Sequence, residues 1–331
     1  MKRRIVIACA SLAMLIIAAL TAGSLYMLNY SLSVNSHTRD ARLKWTANER
    51  QYPFLRQWMD SIRQTGALRD TFMVMPSGER HHALFVRDPR AHGRTAVLVH
   101  GYHDSAIRML PIASIYSRMG YNILLPDLHA HGLSDGDDVQ MGWKDRDDVM
   151  RWMEASERMF RTRDRRSAMV VHGVSMGAAT VMCVSGEPQP RYVKCFVEDC
   201  GYTSAWDEFA CQMKEQFGLP PFPLLYTSSA LCKVMHGWSF GEASPLRQVA
   251  KSTRPMLFIH GDKDTFVPFR MVFQLYNAKK RPVGCDGQVE KKLWIVPRTE
   301  HAKSFKDHPQ EYTRVVKGFV RKYIADISLA H

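Results

Sequence analysis

The chain has 331 residues, 46% of them hydrophobic and 23% charged, which is enough to bury a large core and excludes the disordered and fibrous classes. Its formal net charge is +13, but the basic residues are scattered, with knots only at residues 161–166 and 279–281 and no stacking aromatics between them. That pattern reads as solvated surface and argues against a nucleic-acid partner.

Met1-Lys-Arg-Arg opens the chain, and an apolar stretch without a charge follows from Ile5 to about Leu28. About 20 such residues span a bilayer, whereas residues 5–22 alone would fit the apolar core of a signal peptide. Thr21 and Gly23 make a mediocre cleavage site, so residues 1–30 are read as a signal anchor, with a cleaved signal peptide as the alternative. In both cases the basic start stays cytoplasmic and the rest is exported, either membrane-anchored outside the cytoplasm or periplasmic or secreted after cleavage. Cys9 lies too early in the run to accept a lipid.

Residues 31–66 read as a spacer and an N-terminal helix: residues 37–50 are polar and charged, then Pro53 opens a helical pattern through Phe54 or Leu55, Trp58 or Met59, and Ile62 that Gly66 ends. Residues 71–75 and 82–87 read as a hairpin around Pro76-Ser-Gly78. Further strands are expected at residues 95–100, 122–126, 168–171, 192–198, 255–260 and 292–296, with helices at 107–119, 144–160 and 309–327. The alternation predicts an α/β fold over residues 67–331, doubly wound around a mostly parallel sheet, with its active site beyond the carboxyl ends of the strands. Residues 205–251 break the rhythm with some fifty aromatic-rich residues and read as a small helical cap insertion, the alternative for any one residue being packing onto the core.

Cys183, Cys195, Cys200, Cys211, Cys232 and Cys285 show no zinc-ligand spacing. Export permits a disulfide, for which Cys211 and Cys232 within the insertion are the first candidates, with free buried thiols as the alternative.

The chemistry is concentrated in Val171-His-Gly-Val-Ser-Met-Gly-Ala-Ala179, where an apolar run leads to a glycine-flanked serine and a small-residue helical pattern follows. This is a nucleophile elbow with Ser175 at its tip, and a side chain at Gly173 or Gly177 would crowd the turn. Ser134, in Gly132-Leu-Ser-Asp-Gly136, is followed by turn formers and reads as a loop residue. A serine hydroxyl needs an imidazole to accept its proton, and the imidazole needs a carboxylate to fix its tautomer.

The chain order of serine, acid, histidine leaves His301, His308 and His331, of which only His301 directly follows a strand. His308 reads as surface and His331 as chain end, while His100, His172 and His260 each close a strand before a glycine and take supporting roles. Asp262 and Asp264 both follow the 255–260 strand; Asp262 is placed to cap its own turn, Asp264 is the acid, and Asp199 is the third candidate.

Taken together, His100-Gly-Tyr102, Asp127-Leu-His-Ala-His-Gly-Leu-Ser-Asp-Gly136, the elbow, His260-Gly-Asp-Lys-Asp264 with Val267-Pro268, and Glu300-His301 resemble the α/β-hydrolase superfamily. The resemblance is to serine esterases and acyl-peptide-hydrolase-like enzymes, in particular membrane-anchored bacterial hydrolases of the BEM46 type, and covers about residues 70–325. It implies the α/β-hydrolase fold, Asp264 as triad acid, and an oxyanion hole from the backbone N–H groups of Tyr102 and Met176. His129 departs from the arginine common in relatives, which affects that loop's contacts and not the triad.

The expected function is hydrolysis of an acyl bond, a carboxylic ester foremost, through an acyl-enzyme on Ser175, with no metal or organic cofactor required. The expected partners are a small-molecule or lipid-like acyl substrate and the membrane. A peptidase or amidase of the same fold is the nearer alternative, disfavoured because the residues before Thr71 are few for a gating domain. A noncatalytic protein using the cap for recognition is the more distant one.

Overall fold

The computed structural model describes residues 2–34, 40–163, 166–285 and 287–325. Residues 37–39 of the expected spacer, residues 164–165 of the basic knot, the end of the helix expected to run to residue 327, and His331 lie outside the described residues.

In strand β3 (Arg94–Val99), Val97 and Val99 turn to one side and Ala96 and Leu98 to the other, and all four are fully buried. A strand with no polar face must lie inside a sheet covered on both sides. The sheet is completed by β1 (Leu68–Val74), β2 (Arg80–Val86), β4 (Asn122–Pro126), β5 (Ala168–Val174), β6 (Val193–Asp199), β7 (Met256–Gly261) and β8 (Lys291–Val296). Its order is β1-β2-β4-β3-β5-β6-β7-β8, antiparallel where β2 meets β1 and β4 and parallel elsewhere. This is the α/β-hydrolase architecture anticipated from the motifs. From β3 the chain goes to β4 on one side and then to β5 on the other, so the switch point lies between the ends of β3 and β5.

One face carries α3 (Arg56–Gln64), α4 (Leu110–Arg118), the short α11 (Ser304–Asp307) and α12 (Pro309–Tyr323), packed through Met59, Ile62, Ile115, Tyr116, Tyr312 and Val316. The other carries α5 (Asp145–Phe160), α6 (Met176–Ser185), α9 (Pro245–Lys251) and α10 (Arg270–Ala278). Between β6 and α9, helices α7 (Ala205–Phe217) and α8 (Leu224–His236) form the insertion over the sheet's carboxyl edge.

One expectation needs correction, and one left open between two alternatives is decided. The polar stretch read as a spacer is, from Ala41 to Gln51, helix α2, whose Asp40 cap accepts from the Leu43 N–H at 3.0 Å. It docks by polar contacts, since buried Asn48 donates to the Ile107 carbonyl at 2.7 Å and accepts from Arg108 at 2.6 Å, so no apolar stripe announced it. Cys211 and Cys232 are both free, and Cys211 accepts a hydrogen bond from Arg270.

Among the described residues one helix is long and apolar enough to cross a membrane, α1 (Lys2–Leu32), with a mean hydropathy of 2.6. Its first part is exposed, while Met27, Leu28 and Leu32 are buried in the domain. Leu32 accepts from the Val139 N–H at 2.8 Å, Ser24 donates to Thr227 at 2.7 Å, and Tyr30 donates to Gln216 at 2.7 Å.

Candidate active site

Ser175 stands between β5 and α6 at φ 57° and ψ −121°, a conformation that side chains other than glycine rarely adopt. Its N–H donates to the Asp199 carbonyl at 2.8 Å, which fixes the turn to the end of β6. A Cβ on Gly173 would collide with the Gly177 carbonyl, and one on Gly177 with the carbonyls of Val99 and His100. Both glycines therefore serve close backbone approach. Gly177→Ala is expected to cost about 3 kcal/mol through overpacking against backbone that cannot yield, read as a lowered denaturant midpoint, whereas Ala at exposed Gly318, inside the helix Pro309–Tyr323, is expected to raise the midpoint slightly, by up to about 1 kcal/mol of helix propensity.

The Ser175 Oγ lies 2.8 Å from His301 Nε2, and His301 Nδ1 lies 2.7 Å from Asp264 Oδ2. Asp264 is fully buried, and its Oδ1 accepts from the Val267 N–H at 2.9 Å. Burial alone would raise its carboxyl, but contacts with His260, at 3.2 Å, and His301 outweigh that and hold it below the usual carboxylate range. The turn-capping role expected of Asp262 is thus filled by Asp264, while the Oδ1 of Asp262 has no hydrogen-bond partner. Asp199 accepts from Ser304 at 3.0 Å, and burial pushes its carboxyl up to about 6.

Gly101 packs on the serine so closely that a Cβ there would stand 3.2 Å from the Ser175 Cβ and 3.7 Å from its Oγ. Tyr102 follows at once, and Met176 opens α6, so both residues stand next in sequence to groups that touch or carry the hydroxyl. His100, His172 and His308 make supporting contacts. His100 takes the Leu128 N–H at 3.0 Å, and His172 bridges the hydroxyls of Tyr116 and Tyr312 at 3.1 and 3.0 Å, with burial pushing its imidazole down to about 3. His308 bonds to the Pro297 carbonyl, and the Ser134 hydroxyl donates to the Asp127 carbonyl of its own loop and accepts from the His82 N–H of β2.

Residues 112–326 match the model of the prolyl oligopeptidase family, some two thirds of the chain. The chain belongs to the prolyl oligopeptidase family. Among curated proteins this family member is 26% identical over 226 residues to the uncharacterised YqkD of Bacillus subtilis, covering 68% of this chain and 70% of that one. It is 24% identical to YfhR of Escherichia coli over 228 residues, 68% and 69% of the two chains. Among solved structures it is similar to the Pyrococcus furiosus esterase Pf2001, with a TM-score of 0.62, 22% identity, and coverage of 80% of this chain and 96% of that one. It is also similar to the Pyrococcus horikoshii acylaminoacyl peptidase, with a TM-score of 0.56, 17% identity, and coverage of 80% and 43%. These likenesses show the fold, and with the family match they make the chain a hydrolase by lineage.

This prolyl oligopeptidase family member has a cavity of about 310 Å³ over Ser175, walled by Tyr202, Met213 and Phe240 and, from α1, by Met27, Tyr30 and Ser31. The α1 wall escaped sequence reading, because a membrane segment carries no sign that its end turns into a pocket. Tyr102 ties the two together, donating from its hydroxyl to the Ser31 carbonyl at 2.8 Å. Glu208 also lines the cavity; burial raises its carboxyl to about 8, which leaves it neutral at pH 7 and the cavity without a fixed charge there. Cys200 was passed over as well, although its place directly after β6 could have flagged it; its thiol sits with Asp264 and His301.

Proposed function

We propose that the protein is a serine hydrolase that cleaves acyl bonds, carboxylic esters foremost, through an acyl-enzyme on Ser175. The observation that carries this reading is the unbroken hydrogen-bonded chain from Ser175 through His301 to Asp264 at 2.8 and 2.7 Å. Ser175 Oγ attacks the acyl carbonyl while His301 Nε2 takes its proton, and Asp264 holds Nδ1–H and stabilises the imidazolium. The oxyanion takes the N–H groups of Met176 and Tyr102. Collapse expels the alcohol with the proton from His301, and water, activated by the same imidazole, releases the acid.

The membrane is part of the proposal. The exposed run of α1 covers residues 5–22, which at 1.5 Å per residue is ~27 Å, close to the ~30 Å hydrocarbon core of a bilayer. Met27 follows within about two turns, with Tyr26 and Tyr30 exposed where aromatic side chains favour the interface. An anchor that also walls the cavity brings its apolar interior close to the bilayer, which favours an acyl chain as its occupant. Export of the domain and retention of the anchor belong to the same proposal.

The test is a fluorophosphonate probe on the full chain: a single adduct mapped to Ser175 and lost in His301→Ala supports the reading, and no adduct in folded protein overturns it. A second reading, cleavage of an aminoacyl amide, is favoured by the family match, and a panel of graded esters beside aminoacyl amides decides between them. Asp264→Asn is expected to lower kcat by about 10⁴ through the wrong tautomer of His301. Because His260 and His301 hold the Asp264 carboxyl below its usual range, Asp264 is expected to add no proton to the acid limb of the wild-type kcat/KM profile; a limb steeper than one proton would contradict this.

A further inference from the structure

At the carboxyl edge of the sheet, to one side of the triad, Glu79, His81 and His129 converge from the β1–β2 turn, strand β2 and the loop after β4. One ligand atom from each lies within 4.8 Å of the other two. His129 Nε2 is 3.2 Å from Glu79 Oε1, and His81 Nε2 is 3.7 Å from Glu79 Oε2. Two donors bound ~2.1 Å from one tetrahedral ion stand roughly 3.4 Å apart, so these spacings already suit an ion between them.

The orientation of each ring points the same way. His129 Nδ1 donates to the Asp138 carbonyl at 2.9 Å, which leaves the lone pair on Nε2, toward Glu79. His81 Nδ1 faces Asp148 Oδ2 at 3.3 Å, a carboxylate behind an imidazole as in the outer shell of many metal sites. His81 is 1% exposed, and among the described residues its ring nitrogens are held only by the ion-pair contacts to Glu79 and Asp148, neither with hydrogen-bond geometry. A buried imidazole held so loosely is unusual, and a metal on Nε2 would satisfy it. Gly136 gives way to this arrangement, since a Cβ there would run into the His129 ring. Among the described residues Glu79 and Asp148 form ion pairs only with these histidines, so no lysine or arginine competes for the place of a cation.

We propose that Glu79, His81 and His129 bind a divalent transition ion of the zinc class, with Asp148 and the Asp138 carbonyl orienting the two imidazoles. Two imidazoles and a carboxylate are a donor set suited to zinc. Glu79, His129 and Asp148 also line a cleft of about 860 Å³, which gives the ion an entry path and an open position for water. The ion would tie the hairpin turn to the loop that carries His131, beside the catalytic loops and apart from the triad. The inference does not rest on the hydrolase reading.

The test uses the untagged full chain in detergent, stripped with a chelator, dialysed and titrated with zinc chloride by calorimetry, with cobalt(II) absorption reporting the geometry. One equivalent of zinc is expected, with affinity lowered about 100-fold in His81→Ala and in His129→Gln and roughly 10-fold in Asp148→Asn. Circular dichroism checks that each variant is folded, and Asp148→Asn keeps the test decisive if His81→Ala is not. Binding that survives all three substitutions, or no zinc uptake by the wild type, overturns the proposal and leaves the cluster as an ion-pair network.

Discussion

Ser175→Ala is expected to lower kcat on a small aryl ester by roughly a millionfold while leaving the denaturant midpoint unchanged. The size follows from the way the group acts. Without Oγ the His301 imidazole has no nucleophile to deprotonate, and what remains is binding plus the oxyanion donors, which sustain about 10³ to 10⁴ over water. On the barrier the loss is about 8 kcal/mol. The fold is expected to survive because the turn is held by the Ser175 backbone, whose N–H donates to Asp199, and not by its hydroxyl. His301→Ala in the same background is expected to add almost nothing, since the two side chains act as one unit. Full turnover in Ser175→Ala would sink the acyl-enzyme mechanism, and a further large loss in the double variant would show that His301 works independently of the serine.

The parts of this site that lie next to strands could be read from residues alone. Gly173, Ser175 and Gly177 are adjacent in sequence, and the turn they make is dictated by the space between backbone carbonyls, so a local pattern reports a local constraint. Asp264 and His301 each sit just past a strand that the period of apolar residues locates, and chain order singles them out as candidates. The parallel sheet and its helices followed from the same alternation.

What escaped was held by contacts distant in sequence. Helix α2 docks through Asn48 and Arg108 instead of an apolar stripe, so polarity was read as solvation. Asp262 and Asp264 compete for one turn, and only three-dimensional placement shows that the buried Asp264 both caps it and faces His301. His81 and His129 are 48 positions apart and meet because β2 runs antiparallel to β4, a pairing that no spacing rule records.

Helix α1 raises the same issue with the largest consequence for stability. A chain beginning at residue 40 is expected to be less stable than one beginning at Ser24 by roughly 6 kcal/mol, taking about 2 kcal/mol for each of Met27, Leu28 and Leu32 as an upper estimate. That is comparable to the whole stability of many domains, so the shorter chain is expected to be largely unfolded at moderate denaturant, while the longer one keeps a cooperative transition. Function should fail by a separate route. Without Ser31 the Tyr102 hydroxyl loses its acceptor, and the loop that presents the Tyr102 N–H beside Ser175 loses its tether to α1. The cavity also loses the wall formed by Met27 and Tyr30. Fluorophosphonate labelling of the chain beginning at Ser24 should therefore match the full chain, and labelling of the chain beginning at residue 40 should fall even under conditions where it remains folded. Equal midpoints and equal labelling for the two truncated chains would mean that α1 is only an anchor. The predicted difference would mean that cleavage near Thr21 to Gly23 could free the domain from the bilayer without dismantling its active site, because the residues that build the wall all lie beyond that point.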